Sequence, residues 1–172
     1  LDWLIGQSPA MRRVRAQVRL ATAQPECVVI VGNEGVGRET IARTIHAERM
    51  RAQAETRGSG SAMLIPLSCA VVDVESLQST IESLVKQLAE LEGADKSVLL
   101  LLEVDSLDME SQSALLGFLQ IAEIGLQTLA TSRSSLLELA KQDRFRPDLA
   151  YHLSTLELLI PPLVDRLEDV LL

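Results

Sequence analysis

The densest chemistry in this sequence lies in eight consecutive residues, Gly32-Asn33-Glu34-Gly35-Val36-Gly37-Arg38-Glu39. They follow a β-branched run from Cys27 to Val31, and a helical period resumes after them at Ile41, Ala42 and Ile45. A glycine turn between strand and helix presents successive backbone amides, and the helix N-terminus adds positive partial charge, so the segment can cradle phosphates. The general phosphate-loop pattern is G-x-x-x-x-G-K-[ST]. Here Arg38 stands for the lysine and Glu39 for the hydroxyl residue. On these residues alone, a glycine-rich turn that holds no ligand stays open beside the phosphate site.

Other reactive residue types are sparse. Cys27 and Cys69 lie far apart without C-x-x-C spacing, each in or next to an apolar run, and are expected to be buried reduced thiols, which points to a cytoplasmic location. No set of metal ligands is read. Arg12, Arg13, Arg15 and Arg19 crowd the polar faces of one amphipathic helix, where they either bind phosphate or form a solvated face. The charge balance weighs against nucleic acid: the net charge is −8 over 172 residues. Anionic membrane surfaces are poor partners for the same reason. One Trp, one Tyr and two Phe leave no stacking platform for single strands. The longest uninterrupted apolar run, Val98 to Leu102, is far short of the about 20 residues of a membrane span, and no signal peptide is expected.

The elements that must position the loop follow from periodicity. Ser8 can cap a helix with Pro9 at its first position, carrying Met11, Val14, Val18 and Ala21 on its apolar face. Short strands are expected at Cys27 to Val31, Met63 to Leu67, Val98 to Leu102, Leu126 to Thr131 and Thr155 to Ile160. Between them come the helix from Arg38 to His46, an exposed loop from Ala52 to Ser61, and a long helix from Val74 to Leu91 ending at Gly93. A further helix follows Asp108, and a short one is capped by Ser134. Alternation of this kind specifies an α/β fold: a five-stranded parallel sheet with helices on both faces, a three-layer α/β/α core. Ligands of such sheets sit beyond the carboxyl ends of the strands. That places the chemistry at Gly32 to Glu39, after Leu102, after Thr131 and around Arg144 and Arg146.

Nearly the whole chain resembles the AAA+ domain of the sigma-54-dependent bacterial transcription activators, a P-loop NTPase. Leu4-Ile5-Gly6-Gln7-Ser8-Pro9-Ala10-Met11 is similar to that family's opening segment, which lies by the adenine and implicates Ile5 and Gly6. Val29 to Glu39 is similar to its G-E-S-G-T-G-K-E phosphate loop, where Glu already replaces the hydroxyl residue. Ile41-Ala42-Arg43-Thr44-Ile45-His46 and Leu67-Ser68-Cys69-Ala70 match the stretches that follow, which makes His46 a packing residue. Leu99 to Leu107 resembles the strand that holds magnesium and the catalytic carboxylate. Ala130-Thr131-Ser132-Arg133 resembles the A-T-N-R sensor, and Arg144-Phe145-Arg146-Pro147-Asp148-Leu149 the arginine-finger segment. Pro161-Pro162-Leu163 through Arg166, Glu168 and Asp169 resembles the closing run.

The departures fall on the chemistry. Leu102 occupies the position of the magnesium-holding Asp and has no oxygen to offer a metal or its water. Arg38 keeps the charge of the lysine but not its compact geometry. Ser132 replaces the sensor Asn, and His152 the second finger, leaving Glu103 and Arg146 as the catalytic candidates. The family's G-A-F-T-G-A loop, which touches the sigma factor, has no counterpart, and its hairpin insertion shrinks to Ile121 to Gly125. The resemblance thus implies a degenerate member that binds ATP or ADP at Gly32 to Glu39, with magnesium poorly held, hydrolysis impaired and no sigma-54 contact. Its expected partners are neighbouring AAA+ subunits or a homologous activator. Two other readings stand beside it: a nucleotide-free interaction module in which Arg38 makes an internal salt bridge, and a slow ATPase. The chain starts without Met and stops within an apolar pattern, so it is expected to be one core domain, residues 1–172, cut from a longer protein and lacking the helical lid.

Overall fold

The computed structural model describes residues 6–23, 27–57, 63–90, 97–120 and 127–169. Helix α1 (Pro9–Ala23) begins where the Ser8 hydroxyl accepts a hydrogen bond from the Met11 amide at 3.2 Å, and it buries the expected stripe of Met11, Val14, Val18 and Ala21. Strand β1 (Val28–Val31), helix α2 (Arg38–Arg57), strand β2 (Leu64–Ser68) and helix α3 (Val74–Glu90) follow. Strand β3 (Val98–Leu102) runs into a 3-10 turn at Val104–Ser106, then come α4 (Met109–Leu119) and β4 (Gln127–Ser132). Helices α5 (Leu136–Lys141) and α6 (Pro147–Leu153), strand β5 (Leu156–Leu159) and a closing 3-10 turn (Leu163–Asp169) complete the described chain.

The five strands form one parallel sheet in the order β2-β3-β4-β1-β5. Alternate residues of each strand feed opposite layers. Val28, Ile30, Val98, Leu100 and Leu129 join the α1 and α2 side chains Val14, Val18, Ile41 and Ile45 in one core. Val29, Val31, Leu99, Leu101 and Ala130 join Leu77 of α3, Leu115 of α4, Leu136 of α5 and Leu149 of α6 in the other. This is why Val98 to Leu101 are all buried: a strand covered on both faces has no polar side. No helix among the described residues is long and apolar enough to cross a membrane.

Differences from the sequence expectations are local. The segment from Ala52, read as a loop, continues α2 to Arg57, because Ala, Gln and Glu are good helix formers; the period fades there since most of the described side chains of that turn are exposed. The remainder of that loop, Gly93 and the shortened insertion at Ile121 to Gly125 lie outside the described residues. Ser134 does not cap α5: its carbonyl and amide are both engaged by the Ser132 hydroxyl, and Ser135 flanks the helix instead, bonding Glu157. Helix α6 is an element the sequence expectations do not include, although Pro147 at its first turn and Leu149, Ala150 and Leu153 on its buried side carry a helical signature.

Candidate functional site

The phosphate loop is anchored at its start. Gly32 N–H donates to the Ser132 carbonyl at 3.1 Å, and Ile160 N–H to the Val31 carbonyl at 2.8 Å, so the loop leaves the sheet between the ends of β4 and β5. A side chain at Gly32 would meet the Val36 Cγ2 at 2.9 Å and the Ile160 carbonyl at 3.0 Å. Gly35 and Gly37 have φ of 78° and 95°, the left-handed region open to glycine. The loop then delivers its amides to the N-terminus of the 20-residue α2. A cavity of about 360 Å³ opens over it, reaching from Glu34, Gly35 and Gly37 across to Leu102, Glu103 and Thr131.

Arg38 spans this cavity floor. Its side chain is buried, with Nη1 donating to the Gly32 carbonyl at 2.9 Å and Nη2 to Glu103 Oε1 at 3.3 Å. Glu103 adopts φ 55°, ψ 50°, a left-handed conformation unusual for a side chain of its size, and its N–H donates to Thr131 Oγ1 at 2.9 Å. The bend after Leu102 therefore swings the carboxylate toward the loop. Glu39, also in the cavity lining, is ion-paired along its own helix with Arg43 at 2.7 Å. Leu102 lines the cavity with carbon only, and Ser132 is fully buried with its hydroxyl spent on Ser134. A hard divalent cation asks for several oxygen ligands. Leu102 offers none, and among the described residues no group of three or more His, Cys, Asp or Glu is placed to hold a metal ion.

Arg146 lies elsewhere. Its N–H donates to Gln112 Oε1 at 2.8 Å, and its guanidinium reaches Asp148 at 2.6 Å and Ser113 Oγ at 3.0 Å, which ties the start of α6 to α4. Hydrogen bonding to Asp148 raises the Arg146 pKa and lowers that of Asp148. Between the two arginines of this segment, Phe145 is fully buried and wedges it to the core. Gly6, at φ 128°, packs against Asp169 and Met11, and Ile5 lies outside the described residues. Both cysteines are free; Cys69 is buried and Cys27 half-buried. Burial, with the charges of Asp105 and Glu103 adding to it, pushes the Cys69 thiol up to about 12, so it is no nucleophile. His46 is half-buried, its pKa lowered by burial and by Arg49.

Sequence reasoning assigned no role to two polar links. Asp105, after the β3 bend, pairs with Arg133 at 2.9 Å and so ties the end of β3 to the end of β4. Buried Arg49 donates to the Ala21 carbonyl at 2.8 Å and to Gln127 Oε1 at 3.1 Å, joining α1, α2 and β4. No spacing rule foretells either, since each pair is set by which strands are neighbours.

A family model described as the sigma-54 interaction domain matches residues 5–163. The Nif-specific regulatory protein of Rhizobium leguminosarum is 31% identical over 99% of this chain, which spans 35% of that protein. The transcriptional regulatory protein FlbD of Caulobacter vibrioides is 28% identical over 98%, spanning 40% of its length. The chain thus corresponds to less than half of these relatives. Among solved structures, NtrX from Brucella abortus in complex with ATP superposes with a TM-score of 0.72 at 23% identity, over 96% of this chain and 38% of that one. The P-loop NTPase domain of a sigma-54 activator from E. coli gives 0.61 at 21%, over 92% of this chain and 99% of that one. With its five-stranded parallel sheet, glycine loop and two-sided core, the chain belongs to the sigma-54 interaction domain family and has the AAA+ P-loop NTPase fold.

Proposed function

We propose that this domain binds ADP or ATP at Gly32 to Glu39 without appreciable hydrolysis, and that it serves a bacterial transcription regulator as a binding and assembly module. The observation that carries the reading is the cavity itself: a glycine cradle at a helix N-terminus, floored by the buried cation Arg38, opposite a carbon-only Leu102. The cradle suits phosphate; on the opposite wall Leu102 offers no oxygen to a magnesium ion or to the attacking water. Glu103, next to Leu102 in the cavity lining, is the carboxylate we assign to activate water there, and it is engaged by Arg38. NtrX, similar in fold, has been crystallised with ATP and with ADP, which supports a nucleotide as the ligand class. Arg146, absent from the lining of the cavity, is the residue we assign to a neighbouring subunit's site.

Calorimetric titration with ADP and ATP should show binding that changes less than about twofold on adding magnesium, because direct amide and Arg38 contacts do not need the metal. Strong magnesium-dependent tightening, or turnover near 1 per second, a rate typical of enzymes, would overturn this. The Arg38 contacts to Gly32 and Glu103 favour one second reading, a loop closed on itself that binds no nucleotide. Absence of binding heat with either nucleotide would select it.

A further inference from the structure

The peptide between Val36 and Gly37 turns about ψ of Val36 and φ of Gly37. Gly37 stands at φ 95°, a region that side chains rarely enter, so on its side no side-chain sterics fix this plane. A trans peptide carries its C=O and N–H on opposite sides of one plane. Whatever holds the Val36 carbonyl therefore also aims the Gly37 N–H, and Gly37 lines the cavity.

One side chain holds that carbonyl. Arg166, in the closing 3-10 turn, is buried, and its Nη2 donates to the Val36 oxygen at 3.4 Å while Nη1 contacts the Met11 sulfur at 2.8 Å. Its Nε is buried with no hydrogen-bond partner among the described residues. Burying a guanidinium with weak partners costs desolvation free energy, so packing alone does not account for an arginine here. The turn that carries it is fastened independently. Asp169 Oδ1 accepts from the Gln7 and Ser8 amides at 2.6 and 2.8 Å, and Oδ2 from the Ser8 hydroxyl at 2.6 Å. Gly6 permits this approach, since a side chain there would lie 2.8 Å from Asp169 Oδ2. At residue 166 the backbone leaves helical values, φ −140° and ψ 44°, within the turn.

We infer that Arg166, fastened through Asp169, is a positioning residue that fixes the Val36–Gly37 peptide and so keeps the Gly37 amide available to a phosphate. The phosphate ligand rests on the nucleotide reading above; the effect on the loop does not. The test compares the unmodified chain with Arg166→Met, which keeps bulk without a donor, and Arg166→Lys, which restores one. Nitrogen-15 relaxation dispersion without ligand reads the peptide, and ADP titration reads its consequence. In Arg166→Met, Val36 and Gly37 should gain exchange broadening while β1 and β4 amides stay unchanged, and ADP should bind about fivefold more weakly, the loss expected for one hydrogen bond. Arg166→Lys should lie within about twofold of the unmodified chain. If Arg166→Met fails to fold, Asp169→Asn provides the same comparison by loosening the turn. Unchanged Val36 and Gly37 signals overturn the inference, as does a broadened loop with undiminished ADP affinity. A broadened loop in a chain that never binds ADP leaves the positioning role standing and defeats the nucleotide reading alone.

Discussion

Arg38 and Glu103 meet across the cavity, and on the proposed reading their pairing is why a single substitution toward a hydrolytic site will not suffice. A lysine at 38 would place a compact ammonium where the guanidinium now bonds both Gly32 and Glu103, freeing the carboxylate. An aspartate at 102 would supply the missing oxygen ligand beside it. The double substitution Arg38→Lys with Leu102→Asp should therefore convert nucleotide binding from magnesium-indifferent to magnesium-dependent, with at least a roughly tenfold gain in affinity when the ion is added. Hydrolysis should remain at background, since Ser132 has its hydroxyl bound to Ser134 and cannot report a terminal phosphate. Titration of the double variant with and without magnesium, alongside a phosphate-release assay, checks both halves.

At the scale of elements, the closing turn and α1 stabilise each other through Asp169. The Ser8 hydroxyl holds the Asp169 carboxyl below its usual range, with the Ser8 and Gln7 amides and the Arg166 charge adding to it. The unfolded chain binds the proton more readily than the folded one, so this contribution is present above the ordinary value of 3.8 and is lost as pH falls through the depressed folded value. Asp169→Asn removes the titration. Its melting temperature should be lower than that of the unmodified chain at pH 6, and the difference should shrink toward pH 3. Asp73, Asp108 and Asp148 are depressed as well and titrate in both proteins, so the difference between the two melting curves isolates Asp169.

For the whole molecule, the separation of Arg146 from the cavity sets the expectation for assembly. Within one chain this arginine ties α6 to α4 at a half-exposed position, and the cavity lies against other elements. On the proposed reading, an arginine absent from its own cavity lining acts across an interface or not at all. Arg146→Ala should weaken nucleotide-dependent self-association, or pairing with an active homologue, while leaving the far-ultraviolet spectrum unchanged. Sedimentation velocity with ADP present checks this. Association insensitive to the substitution would reduce Arg146 to its contacts with Asp148 and Ser113.

Element order, the parallel sheet and the location of the phosphate loop were legible in the chain, because each rests on local pattern. Uniformly apolar strands such as Val98 to Leu102 need cover on both faces, and the run from Val31 to Ile41 carries its strand, glycines and helix in immediate succession. The apolar side chain at the end of β3, Leu102, was legible too, as one residue type at one place. What the tertiary structure decided are the long-range polar links. Arg38 reaches Glu103 across 65 residues, Arg49 reaches Gln127 across 78, and Asp169 reaches Ser8 across 161. Each depends on strand order and on which turn lies over which helix end. The sheet order β2-β3-β4-β1-β5 separates neighbours in sequence and joins residues far apart in it, so no periodicity or spacing within the chain encodes these contacts.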